Sequence, residues 1–117
     1  GKVFTYIPDH EPALGIHGLT NDPAWISGID LAKDADILMH DAQYSMEEYN
    51  HKKGWGHSAM DDTLKFAATA GVKHLLLGHH DAGHSDQTLE EMLGGLRLNS
   101  PYVFQFDLAK EGMEIDL

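Results

Sequence analysis

Residues 58–78 read SAMDDTLKFAATAGVKHLLLG, and this stretch decides the architecture. Met60, Leu64, Ala67 and Ala68 recur at helical spacing, which gives one helix face an apolar stripe. Ser58 is placed to cap the start, with Asp61 at the third position and both Asp61 and Asp62 favourable at the positive end of the helix dipole. Gly71 supplies the stop. Lys73 to Leu77 follows at once and reads as a strand. A helix that delivers directly into an apolar strand is the building unit of a layered α/β domain.

The same alternation extends to both sides. Upstream, Val3 to Ile7 reads as a buried strand ended by Pro8. Asp9 to about Asp22 is rich in Gly, Pro, His and Asn and reads as a long loop. Asp22-Pro23 opens a short helix to about Ala32, with Trp25, Ile26 and Ile29 on one side. Ile37-Leu38-Met39 is a second short strand, and Ser45 to Trp55 a loop or weak helical turn. Downstream, Ser85 or Asp86 opens a helix with Leu89, Met92, Leu93 and Leu96 on one face, running out at Gly94-Gly95 or shortly after. Tyr102 to Phe106, a turn near Lys110-Glu111-Gly112, and Met113 to Leu117 read as a closing hairpin. This order predicts an α/β fold: a mixed sheet with helices on one face.

The bulk composition narrows the function. A chain of 117 residues is one small domain or a piece of a larger one, and its strand-like opening suggests a piece. A formal charge of −11 with eight scattered Lys and Arg disfavours a long nucleic-acid surface. No apolar run approaches the ~20 residues a membrane span requires, and no signal-peptide pattern opens the chain. The absence of cysteine excludes disulfides, thiolate zinc sites and thiol catalysis, and fits a cytoplasmic location.

Nine histidines are the unusual feature, and several stand with aspartates just after the apolar strands. Asp9 and His10 follow Ile7-Pro8; His40 and Asp41 follow Ile37-Leu38-Met39; His79, His80 and Asp81 follow Leu75 to Gly78; His57 precedes the helix at Ser58. Ligands of α/β sheets bind outside the carboxyl ends of the strands, so these groups are expected on one rim. Imidazole and carboxylate are the donors expected for zinc, manganese or iron. Each such residue also has a structural reading as a turn former or cap. By the same standard His51 and His74 read as surface residues and His17 as part of a loop.

Four segments, Tyr6-Ile7-Pro8-Asp9, Ala35 to Tyr44, Gly56-His57-Ser58 and Leu75 to His79, together resemble the metallo-β-lactamase superfamily, nearest its ribonuclease Z-like and phosphodiesterase-like branch. The order agrees, and His57 and His79 stand 22 positions apart, a helix plus a strand. The resemblance implies that 1–117 is the C-terminal half of an αββα sandwich, since the family's HxHxDH motif occurs nowhere in it. It implies a metal-dependent hydrolase when complete, inactive as this piece alone. Two divalent ions would be bound, zinc first, with manganese or iron as alternatives. Asp9 would bridge them and His79 would ligate the second. His57 would serve as the catalytic group facing the leaving group or phosphoryl oxygen, held by Asp41. His40, His80, Asp81 and His84 would stand behind the ligands or against the substrate, a small molecule or phosphodiester. The implied partner is the N-terminal half or a second copy. The competing expectation is a non-catalytic binding or assembly module of the same ancestry.

Overall fold

A computed structural model describes residues 2–9, 11, 28–52, 56–78, 84–99, 101–102 and 104–109. Strands β1 (Phe4–Ile7), β2 (Ile37–Asp41), β3 (His74–Gly78) and β4 (Gln105–Leu108) form one sheet in the order β1-β2-β3-β4. All three pairings among them are parallel. Parallel neighbours need a crossover connection. Helices α1 (Ile29–Ala32), α2 (Met46–Tyr49), α3 (Met60–Ala70) and α4 (Asp86–Asn99) lie in those connections. The expected α/β layering is therefore present. The second hairpin leg, 113–117, lies outside the described residues, as does the stretch carrying Trp25 and Ile26.

Strand alternation separates the two faces. Leu38, Leu75, Leu77, Phe106 and Leu108 share a core with Met60, Leu64, Phe66 and Ala67 of α3 and Leu89 and Leu93 of α4. Each buried Leu contributes about 1.5–3 kcal/mol of transfer free energy, so this face dominates stability. On the reverse face Ile37 and Leu76 are buried, whereas Phe4 is 48% and Tyr6 59% exposed on the edge strand.

Gly71 ends α3 in the left-handed region at φ 76°, its N–H reaching the Ala67 and Ala68 carbonyls, as expected of a glycine stop. Other boundaries depart from the sequence reading. Ser58 does not cap α3: the cap position is Ala59, with no side-chain hydrogen bond, and Ser58 is buried. The cause is a parallel bridge between Tyr44 and Ala59, in which Tyr44 N–H donates to the Ser58 carbonyl and Met60 N–H to that of Tyr44. A peptide pairing thus fixes the entry to the helix one residue later than Ser58. Helix α4 continues through Gly94-Gly95 to Asn99, because Leu89 and Leu93 anchor it to the core and Arg97 bonds the Phe106 carbonyl. The last described strand is Gln105–Leu108 rather than 102–106, and Tyr102 and Phe104 pack against the core from outside it.

Candidate functional site

Parallel registry brings the strand ends to one rim. Ile7 aligns with His40, His40 with Leu77, and Asp41 with Gly78. Asp9 stands two residues beyond β1, and Asp41 is the last residue of β2. His57 arrives from the other direction, in the extended segment that the Tyr44–Ala59 bridge fixes ahead of α3.

The three side chains meet. His57 Nδ1 lies 2.8 Å from Asp41 Oδ2 and 3.7 Å from Asp9 Oδ1. Asp41 is fully buried, His57 is 21% exposed at its side chain and Asp9 64%. One donor atom from each lies within 4.8 Å of the others, so among the described residues these three form a group able to hold a divalent metal. The donor set fits such an ion: carboxylate and neutral imidazole are its ordinary ligands. The 2.8 Å separation is nevertheless that of a hydrogen bond. Two ligands sharing one tetrahedral ion at about 2.0–2.1 Å would stand about 3.3 Å apart. As placed, then, the His57–Asp41 contact is a hydrogen bond in which Nδ1–H donates to the Asp41 carboxylate.

Asp41 is held from several sides. Its Oδ1 accepts the Gln43 N–H at 3.2 Å, and its carbonyl accepts the Thr63 hydroxyl at 2.6 Å. The same carbonyl accepts His40 Nδ1–H at 2.7 Å. His40 is fully buried, its ring 4.9 Å from that of Phe66, so it cannot meet a substrate and instead supports the backbone of Asp41. A histidine that faces the helices within a strand is thus core, despite its place beside the site.

His84 pairs with Glu48, Nε2 standing 2.8 Å from one carboxylate oxygen, which ties the approach to α4 to helix α2. Its buried Nδ1 has no hydrogen-bond partner among the described residues. Burial alone would raise the Glu48 pKa, but the Ser45 N–H and the His84 ring outweigh it and hold the carboxylate below its ordinary range. His79, His80 and Asp81 lie outside the described residues, as do His10 and His17. His51 is exposed as expected. His74 is not a surface residue: it is 18% exposed and bonds Asp107 at 2.9 Å across β3 and β4.

Three contributors are absent from the sequence reading. Thr63 is fully buried, and its hydroxyl donates to the Asp41 carbonyl. Glu11 is 7% exposed and accepts from the Tyr49 hydroxyl and the Gly56 N–H, both at 2.8 Å. Burial, reinforced by the Glu11 carboxylate, pushes the Tyr49 phenol well above its ordinary pKa, so it stays a donor. Spacing carries no signal for these pairings, which close loops over 38 and 45 positions.

Comparison with known proteins finds homology to ribonucleases Z. No family model matches the chain. It is 30% identical over 82 residues to the ribonuclease Z of Exiguobacterium sibiricum, covering 70% of this chain and 27% of that protein. To the ribonuclease Z of Salinibacter ruber it is 32% identical over 91 residues, 78% of this chain and 24% of the other. To that of Streptococcus suis it is 33% identical over 113 residues, 96% and 35% respectively. The chain is thus homologous to ribonucleases Z of the metallo-β-lactamase clan over part of its length. It spans about a quarter of the first of these relatives. Among the described residues no helix is long and apolar enough to cross a membrane.

Proposed function

We propose that the protein carrying this chain is a metal-dependent hydrolase of phosphodiesters, and that residues 1–117 supply the acid–base pair and part of the metal site. The observation that carries this reading is the convergence of Asp9, Asp41 and His57 at one rim of a parallel sheet. Homology to ribonucleases Z supports it. Asp9 would bridge two ions, zinc by preference, and His79 would ligate the second. Bound metal would lower the pKa of a water toward ~7 and stabilise charge on the attacked phosphorus.

The chain's own residues would do the rest. Asp41, buried and hydrogen-bonded, orients the His57 ring and fixes its tautomer with the proton on Nδ1. Nε2 is then the nitrogen that meets the substrate. As water attacks phosphorus, Nε2 would take up a proton from it, and as the bond to the leaving oxygen breaks the ring would return that proton to the leaving oxygen. His80, Asp81 and His84 would stand near the substrate or behind the ligands. The net charge of −11 is a poor match to a long polyanion, which favours a small or short phosphodiester. The remaining ligands, and the partner of the exposed Phe4 and Tyr6 edge, would come from an N-terminal half or a second copy.

The test is metal analysis and phosphodiester hydrolysis by the whole protein. Two bound equivalents and turnover are expected, with metal lost in Asp9→Ala and retained in His57→Ala. A whole protein that binds no divalent metal and hydrolyses no phosphodiester would leave the assembly-module reading in its place.

A further inference from the structure

Glu11 stands two residues after Asp9, is almost fully buried, and uses both carboxylate oxygens on different segments. Oε2 accepts the Tyr49 hydroxyl at the end of α2, and Oε1 accepts the N–H of Gly56. Gly56 adopts φ 88°, a left-handed conformation that L side chains rarely take. A Cβ built on Gly56 would meet nothing within 4 Å, so steric contact does not require glycine here. Glycine is required by the backbone angle alone. A left-handed residue held by a charge-assisted hydrogen bond immediately before His57 sets the direction in which the chain enters the site.

The Glu11 carboxylate therefore connects the two sides of the candidate site. It joins the β1 exit that carries Asp9 to the segment that carries His57. Downstream of His57 the Tyr44–Ala59 bridge fixes the chain; upstream, the Glu11–Gly56 bond does. Tyr49 is 4% exposed and shares a small buried cluster with Tyr44 and Ala59, so the anchor on α2 and the bridge belong to one packed unit. The Tyr44 ring also meets the His57 ring edge-on, centroids 6.2 Å apart.

We infer that Glu11 is a positioning residue, whose clamp on Gly56 and Tyr49 holds the His57 ring against Asp41 and at a fixed distance from Asp9. The inference rests on the hydrolase reading for its kinetic consequence but not for its structural one. Displacement of a reacting group by about 1 Å costs on the order of 10²-fold in rate. Loss of the clamp should thus lower kcat and leave KM little changed.

The experiment is a double-mutant cycle in the whole protein, with bis(p-nitrophenyl) phosphate as substrate. Glu11→Ala is expected to lower kcat about 10- to 100-fold in the wild-type background, and less than about twofold where His57→Ala has already removed the ring being positioned. Glu11→Gln keeps an acceptor for Gly56 and a polar group for Tyr49, and is expected to recover most of the loss. An equal loss in both backgrounds, or none in either, would overturn the inference. If Glu11→Ala does not fold, Tyr49→Phe carries the same cycle with the same opposing outcomes. Nitrogen-15 spectra of histidine-labelled protein separate this inference from the proposed function. A His57 Nδ1–H signal lost in Glu11→Ala supports the clamp even if the whole protein hydrolyses nothing. A signal unchanged in position and sharpness refutes the clamp even if the enzyme is active.

Discussion

Asp41→Asn isolates what the buried carboxylate does, because the change is nearly isosteric and the site is closed. Asp41 is 0% exposed, and its two oxygens accept from different donors, Oδ1 from Gln43 N–H and Oδ2 from His57 Nδ1. Asparagine keeps one acceptor and turns the other position into a donor. If its carbonyl stays with Gln43, its amide N–H faces the His57 nitrogen, and the ring must accept there and carry its proton on Nε2. A buried donor or acceptor left unmatched costs about 1–3 kcal/mol. That is a minority of the ~5–15 kcal/mol typical of a domain, so the variant should remain folded. The tautomer now points a proton where the proposed mechanism needs a basic nitrogen at the start, and loss of general acid–base assistance costs about 10²- to 10⁴-fold. Steady-state hydrolysis by the whole protein, run with metal analysis and urea unfolding, gives all three quantities. Turnover reduced by that factor, metal retained and stability lowered by about 1–3 kcal/mol is the expected set. Turnover within twofold of wild type would show that the His57–Asp41 pair is structural.

The fold offers independent checks. Leu75→Ala removes a fully buried side chain from the central strand β3 and should cost about 2–5 kcal/mol by denaturant midpoint. In Gly71→Ala the added Cβ would sit 2.8 Å from Asp34 Oδ1, a side-chain tip that can swing aside, so the left-handed backbone should dominate the cost, about 1–2 kcal/mol. Burial alone would raise the Asp107 pKa, but hydrogen bonds from His74 and Gln105 and the charge of Arg97 outweigh it and hold the pKa low. A depressed folded pKa stabilises above the unfolded value of ~3.9 and loses that contribution as pH falls through the folded value. The stability gap between wild type and Asp107→Asn should therefore narrow on acidification below about pH 4, read from urea midpoints. A gap that widens there would contradict the sign.

Elements with a strong period and a clear stop were legible from the sequence. Helix α3 and its Gly71 stop, strand β3, and the α4 face of Leu89 and Leu93 all follow from local pattern and burial. Decisions that depend on tertiary pairing were not. Ser58 carries every local mark of a cap, yet the strand-like bridge to Tyr44 takes the Met60 N–H and the cap position falls on Ala59. Gly94-Gly95 lowers helix propensity by about 1 kcal/mol per residue, and core contacts on either side override it. The pairing of His57 with Asp41 was readable only through motif order, since 16 residues separate them. Glu11 and Thr63 were silent because each bonds groups of a distant segment, backbone groups among them, which leaves no residue-type pattern to find.

The charge arrangement bears on whether the site is functional or merely a satisfied strand end. A carboxylate at zero exposure beside a second one is costly, because desolvating an ion costs several kcal/mol even after relaxation. Hydrogen bonds from Gln43 and His57 offset part of that cost for Asp41. They do not remove the repulsion from Asp9, whose oxygen belongs to the same 4.8 Å group, in a chain whose net charge is already −11. A divalent cation at that point would offset both terms at once. The same positive charge would let such a cation activate water.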